Sequence, residues 1–397
     1  DAKRSDERLA PAWEDAMLAA SVAFGEPGAS DASLESASDL RRRARLAASE
    51  WAHEVTRSWM EATVEPGHFH QMVVLNPASS EQEAWAEFEP NLDCDDWGER
   101  CLCDDQGMPV DIQLVAPEGA HPHLTRLLWR CALPALGHRR FLIREFSPLV
   151  GRPVKVESQA ADAPLQAAKT SLGNGKLRLR FSQRALTRIS GPDDEEPNLL
   201  GRLGVTFSLN EDRDFDQAPV PASEIAYAGG PQSEGWTVLE QGPLRASLLN
   251  RGMIGDSPYE WVVRLCRDDG RIHHRFRIQF NEHGKLLNLA IQLAESSPGW
   301  EDATPSGARS RPASGDWHPF HGWTQATLPR GSFAVVSNDI FAHSHNESHL
   351  DCILMRSPGS SREEVEAKLR DRFFFFKQKA AYEVGACDWS SDVCSSD

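Results

Sequence analysis

Met72-Val73-Val74-Leu75-Asn76-Pro77-Ala78-Ser79-Ser80 is the stretch whose reading decides the fold. Four apolar residues in a row run into Asn-Pro, and Pro77 has no N–H with which to continue a strand ladder. The pattern predicts a short buried strand that ends in a turn and opens a β-domain. Leu75 is expected in its core, where Leu75→Asp would cost several kcal/mol. Sequence before this point reads as helix, and nearly all of it afterwards reads as strand.

On the N-terminal side, Leu9, Trp13, Met17 and Ala20 recur at helical spacing, and Pro27-Gly28 breaks the run. A longer helix follows, with Leu40, Ala44, Ala47, Trp51, Val55 and Trp59 stepping by three and four along one face. Arg41, Arg42, Arg43 and Arg45 fall mostly on the opposite flank and read as a solvated face. The expected domain is a helical hairpin over residues 1–65, whose apolar stripe needs a partner domain.

On the C-terminal side, residues 66–156 alternate as short strands between Pro, Gly and Asp clusters, the pattern of a small β-sandwich. Residues 157–171 read as a linker. Strands resume over 172–372, where Leu177, Leu179 and Phe181 alternate with Arg178 and Arg180. The Pro-, Gly- and Ser-rich piece from Ser296 to Gly315 reads as a long loop within this larger all-β domain. Residues 373–397, ending in Asp388-Trp389-Ser390-Ser391-Asp392-Val393-Cys394, look like translated sequencing adapter. They are expected to be a non-native tail on a piece of a longer gene.

Composition bounds the function. The 397 residues carry a formal net charge of −17, with 40% hydrophobic and 25% charged content, and no apolar run is long enough for a membrane helix. Nucleic-acid and membrane partners are therefore not expected. Eight cysteines in this length do not make a disulfide scaffold, which favours a reducing, cytoplasmic setting.

Several motifs in order resemble the family 38 glycoside hydrolases, the α-mannosidases. Val73-Val74-Leu75-Asn76-Pro77, Gln106-Gly107-Met108-Pro109-Val110-Asp111-Ile112-Gln113 and Leu133-Pro134-Ala135-Leu136-Gly137-His138 are similar to strands of that family's small β-domain. Leu172-Gly173-Asn174-Gly175-Lys176-Leu177, Glu240-Gln241-Gly242-Pro243-Leu244-Arg245-Ala246, Asn281-Glu282-His283-Gly284-Lys285-Leu286-Leu287 and Leu354-Met355-Arg356-Ser357-Pro358 resemble segments of its large domain. The implied fold is mainly β with an N-terminal helical segment: a small β-sandwich followed by a large galactose-mutarotase-like β-supersandwich.

The resemblance implies a parent enzyme that hydrolyses α-mannosides with retention, using paired carboxylates and a zinc ion. Both carboxylates and most zinc ligands would sit in a catalytic domain in cis, upstream of residue 1. This chain is then a non-catalytic part that binds carbohydrate and can join a homo-oligomer; the alternative is a carbohydrate-binding or scaffold protein that inherited the architecture. A mutarotase-like enzyme on the large sandwich lacks any motif to support it. The family's extra zinc-ligating His would fall near Val22, Ala23 or Phe24, none of which can ligate. Its active-site Tyr would fall at Ala218 or Pro219.

Six residues are candidates for substrate contact. Asp212, Asp214 and Asp216 lie in the acidic run that resembles the family's active-site loop. Trp317, His321 and Trp323 belong to Trp317-His318-Pro319-Phe320-His321-Gly322-Trp323, whose rings, imidazoles, Pro and Gly have the composition of an exposed recognition loop. His343, His345 and nearby His349 could face one side of a strand as metal ligands. Like His68, His70, His273, His274 and the Cys94, Cys101, Cys103 group, they read instead as polar strand ends or surface loops. No catalytic residue and no metal site are predicted within this chain.

Overall fold

The computed structural model describes residues 9–18, 31–63, 71–89, 100–115, 126–145, 165–192, 196–212, 227–297, 299–304, 307–329, 331–340 and 342–357. It is mainly β, with helices at 9–18 and Asp31–Thr63, and it divides into two compact units after residue 155. The tail-like residues 373–397 lie outside the described residues.

In the first unit the long helix half-buries Leu40, Ala44, Ala47, Trp51 and Trp59 of the predicted stripe but leaves Val55 46% exposed, while Arg41, Arg42, Arg43 and Arg45 stay exposed. Arg43 pairs with Asp15 of the shorter helix at 3.3 Å, and the Trp59 ring meets His138 edge-on at 4.7 Å. Two antiparallel sheets follow. One runs Gln71–Leu75, His138–Glu145, Arg100–Cys103, Pro109–Val110, and the other Gln82–Phe88, Arg126–Leu133, Ile112–Val115. Met72, Leu102 and Phe141 from the first close on Ala86, Leu127, Trp129 and Leu133 from the second. This is the small sandwich.

The opening strand differs from expectation in which residues it buries. Met72 is 7% exposed and Val74 packs on the core, whereas Leu75 is 44% exposed. Successive side chains of a strand point to opposite faces, so an all-apolar run cannot bury every member of a two-layer sandwich. Asn76 is the buried residue at its end. Its side-chain amide donates to the carbonyls of Ser80 and Pro134, both at 2.9 Å, and its Oδ1 accepts from Ala78 N at 3.0 Å. Met72→Asp should therefore cost several kcal/mol, and Leu75→Asp within about 0.5 kcal/mol, in urea unfolding followed by tryptophan fluorescence. Equal losses would refute this register.

The second unit is built on a ten-stranded sheet. Its path is Trp317–Pro319, Ala342–His345, His349–Ser357, Lys285–Leu293, Leu200–Glu211, Leu186–Ser190, Arg178–Phe181, Ser171–Gly173, Gln166–Ala168, with Tyr227–Gly229 paired to Leu200–Glu211. One four-stranded sheet holds Gln232–Gln241, Arg245–Ile254, Ser257–Cys266 and His273–Ile278, and another holds Gly307–Arg311, Trp300–Thr304, Trp323–Leu328 and Gly331–Val336. One core gathers Phe207 and Leu289, Trp236 and Trp261, and Trp300 and Ala326 from the three sheets. The large all-β domain is thus a supersandwich.

The segment from Ser296 to Gly315 is not a loop. It carries the hairpin Trp300–Thr304 and Gly307–Arg311, with Trp300 paired to Arg311 and Asp302 to Arg309. The inward face of its first strand is Trp300 and Asp302, both 1% exposed. An aspartate at an inward position breaks the apolar alternation by which strands are recognised.

His274 is tied to the second core, since Trp261 Nε1 donates to its Nδ1 at 3.1 Å. A neutral imidazole is needed to accept that bond. Burial, and then neighbouring His273, lower its pKa from 6.5 to about 4. The depressed value makes the folded state bind fewer protons than the unfolded one between these limits. The contribution is full above pH 6.5 and is lost as pH falls through 4. Allowing for the ring's partial exposure, about 2–3 kcal/mol should be lost. Chemical denaturation at pH 7 and pH 4 should show His274→Gln, which still accepts from Trp261 but does not titrate, losing that much less.

Candidate functional site

The densest group of potential ligands in the described residues forms where the third sheet's hairpin meets the large sheet. The strand Trp300–Thr304 carries Asp302 inward, and Ala342–His345 presents His343 and His345 on one face two residues apart. His318 sits directly opposite His343 in the paired edge strand. Asp302, His343 and His345 are each at most 1% exposed. Gly315 ties the neighbouring turn to this strand, donating its N–H to the His345 carbonyl at 2.9 Å and accepting from Ser344 Oγ at 2.7 Å.

Asp302 Oδ1 lies 3.0 Å from His343 Nε2 and 3.8 Å from His345 Nε2. The same oxygen accepts from Thr324 Oγ1 at 2.7 Å, while Oδ2 accepts from Arg311 Nε at 3.2 Å. Both Nε2 atoms thus turn to Asp302, while the two Nδ1 atoms make no hydrogen bond among the described residues. Packing also orients the rings. Trp300 stacks on His345 at 4.7 Å and 7°, and Phe320 meets His343 edge-on at 5.4 Å. Trp300 is itself held by its Nε1 donating to the Asn346 carbonyl at 2.9 Å.

Burial alone would raise the Asp302 carboxyl, but His343, His345 and Thr324 outweigh it and hold the group well below the usual carboxylate range. The His318 imidazole is pushed below its ordinary value by burial, then by Arg311 and the other two histidines. An ionised carboxylate beside two buried imidazoles can act as a buried ion pair or as the donor set of a metal ion.

The structure distributes the sequence-predicted residues as follows. Asp212 is clamped by Arg356, whose Nε and Nη2 donate to its two oxygens at 2.6 and 2.9 Å. Asp214, Asp216, Ala218, Pro219, Val22, Ala23, Phe24, His68, His70 and Cys94 lie outside the described residues. Trp317 opens a short edge strand and Trp323 opens another, both half-buried, with exposed His321 and the Gly322 turn between them. The recognition segment is thus partly strand, and its His318 and Phe320 face the buried cluster.

His343 and His345 are core residues, not a polar strand end or surface loop, because both strand neighbours and the hairpin cover them. His349 stands apart and pairs with Asp351 at 3.3 Å. Burial would lower its pKa, yet that contact raises it overall. Cys101 and Cys103 are buried free thiols with their sulfurs 3.6 Å apart, and burial first of all pushes Cys103 up to about 11. With its thiol so raised, Cys103 is a poor metal ligand at neutral pH. Asp302 was not legible as a site residue, and only its alternation with Trp300 hinted at an inward position.

The segments that resemble α-mannosidase motifs prove to be joints. Arg245 Nε meets Glu240 Oε2 at 2.9 Å across a hairpin, both side chains largely buried. Glu282 Oε1 accepts from Asp256 N at 2.6 Å and Ser257 Oγ at 3.0 Å. Asn174 and Asn76 knot their turns in the same way, through buried side-chain amides.

No family profile and no curated protein matches the chain. Solved structures do. An alpha-mannosidase from Enterococcus faecalis V583 shares the fold with a TM-score of 0.61 at 11% identity, over 84% of this chain and 45% of that one. A protein in the glycosyl hydrolase family 38 from Enterococcus faecalis gives a TM-score of 0.58 at 11% identity, over 84% of this chain and 46% of that one. The class is therefore a β-sandwich and supersandwich protein with the fold found in family 38 glycosyl hydrolases. The chain spans about half the length of the structures it matches.

Proposed function

We propose that this chain is the β-domain portion of an α-mannosidase-like retaining glycoside hydrolase, working with a catalytic domain in cis. The supporting observation is the shared fold over 84% of the chain with an alpha-mannosidase, together with the ordered motifs that resemble the same family. In such an enzyme the reacting carboxylates and a zinc ion belong to the catalytic domain, and the zinc grips sugar hydroxyls there. Val22, Ala23 and Phe24 carry no ligand atoms, so this chain adds no side-chain ligand to that zinc from those positions.

The chain's role is to wall the substrate cleft and bind α-mannoside. Trp317 and Trp323 offer ring faces for sugar stacking and His321 offers a hydrogen bond. Asp212, held by Arg356, and Asp214 and Asp216 of the same acidic run are the carboxylates proposed to contact the sugar.

The test is to extend the gene upstream, express the longer protein and assay an aryl α-mannoside. Turnover is expected, and Trp323→Ala should raise KM about tenfold with kcat nearly unchanged, as loss of uniform binding does. Absence of turnover with retained mannoside binding in calorimetry would overturn the enzyme reading and leave a carbohydrate-binding protein.

A further inference from the structure

We infer that Asp302, His343 and His345 form a divalent transition-metal site of the zinc class, inside the supersandwich and separate from any metal of a catalytic domain. The three candidate ligand atoms all lie within 4.8 Å of one another, and all three residues are buried. Ligands held about 2.1 Å from one tetrahedral ion stand roughly 3.4 Å apart. The oxygen-to-nitrogen separations of 3.0 and 3.8 Å bracket that value.

Convergence of two imidazoles on one oxygen separates this arrangement from a simple ion pair. In a buried carboxylate–imidazolium pair the N–H points along the line to the oxygen. In a metal site both lone pairs point at a third position, so nitrogen and oxygen approach closely without a directed bond between them. His343 Nε2 at 3.0 Å and His345 Nε2 at 3.8 Å both converge on the single oxygen Asp302 Oδ1, as the second arrangement requires.

Charge bookkeeping points the same way. Arg311 already neutralises Asp302, leaving two buried imidazoles whose Nε2 atoms both turn to the one oxygen Oδ1 that Thr324 already occupies. Each such buried atom costs stability if left unpaired. One ion shared by the two Nε2 atoms and Oδ1 removes the heaviest of that cost.

The surroundings fit a structural role. Thr324 and Arg311 hold the carboxylate with Oδ1 toward the imidazoles, as outer-shell partners of metal ligands do. Trp300 and Phe320 fix the rings. His318, whose ring centroid is 5.8 Å from His345 and 6.0 Å from His343, stands beside the cluster with a buried Nε2 that makes no hydrogen bond among the described residues. Two imidazoles with one carboxylate select zinc-class ions over magnesium or calcium. The donor set also suits oxygen-activating iron, but that chemistry needs a substrate at the ion, and ligands at most 1% exposed favour a structural ion. The bound ion pins the Trp300–Arg311 hairpin to the edge of the large sheet.

The test uses the whole chain, stripped with chelator and dialysed against zinc chloride. About one zinc per chain should remain, and excess zinc should raise the melting temperature by roughly 5–10 °C. His343→Gln with His345→Gln should abolish both effects, while His349→Gln should leave them intact. Because the double variant can misfold, X-ray absorption at the zinc edge of the wild-type protein gives an independent answer. A first shell of two imidazoles and oxygen supports the site. Sulfur or fewer than two imidazoles in that shell, no retained zinc, or zinc retained by a folded double variant would each overturn it.

Discussion

Asp302→Leu should lower the stability of the second unit by about 3–5 kcal/mol, the usual cost of removing one member of a buried charged pair. The carboxylate is 1% exposed and answers Arg311 at 3.2 Å and Thr324 at 2.7 Å. Leucine leaves the guanidinium without its buried counter-charge and the hydroxyl without an acceptor. It also leaves both histidine rings facing an apolar side chain. Asp302→Asn keeps the shape and can still accept from Thr324, so the difference between the two substitutions measures shape against charge. Urea unfolding followed by tryptophan fluorescence reads both, since Trp300 stacks directly on His345. A loss under about 1 kcal/mol for leucine would mean that the cluster is no better than an apolar plug.

Asn174→Ala should cost about 3–4 kcal/mol, because four hydrogen bonds through one fully buried amide disappear together. Its Nδ2 donates to the carbonyls of Cys266 and Asp269 at 2.6 and 2.7 Å, and its Oδ1 accepts from the N–H groups of Lys176 and Leu177 at 3.1 and 2.8 Å. The residue thereby ties the turn after Ser171–Gly173 to the end of the strand Ser257–Cys266 in the other sheet. Gly175 stands at φ 85° in that turn, where a Cβ would be strained. Asn174→Asp is expected to be at least as damaging as alanine, since a carboxylate would face two carbonyls that need a donor. Denaturation midpoints of the three proteins give the comparison. An aspartate variant as stable as wild type would refute the donor assignment.

Asn174 bears on what the α-mannosidase-like motifs mean. Asn76 in the Asn-Pro turn, Asn174 in the Asn-Gly turn, Glu240 with Arg245 and Glu282 at its hairpin all bind backbone or each other. They are recognisable because a turn that buries its backbone needs a side chain of one length to satisfy it. Such motifs identify a fold. They do not place substrate-binding groups, which is why they marked the architecture far more sharply than the chemistry.

The candidate site was half legible. His343-Ser344-His345 has the period-two spacing that puts both imidazoles on one face, and the Trp317–Trp323 segment was conspicuous for its rings. Burial was the missing part, since a His-x-His pair looks alike on an edge strand and in a core. Asp302 was hidden for a different reason. It lies in a Pro-, Gly- and Ser-rich stretch that local composition reads as loop, and its strand exists because Trp300, Asp302 and Ala303 are covered by other sheets.

The sequence by itself determined the switch from helix to sheet at Met72–Pro77, the all-β remainder and the solvated arginine flank of the long helix. These follow from local periodicity, which each residue shares with neighbours a few positions away. Only the tertiary structure decided that Met72 rather than Leu75 faces the core, that Ser296–Gly315 holds a hairpin, and that Asp302 meets His343 and His345. Sheet register and the packing of one sheet on another depend on residues distant in the chain, and no local pattern carries that information.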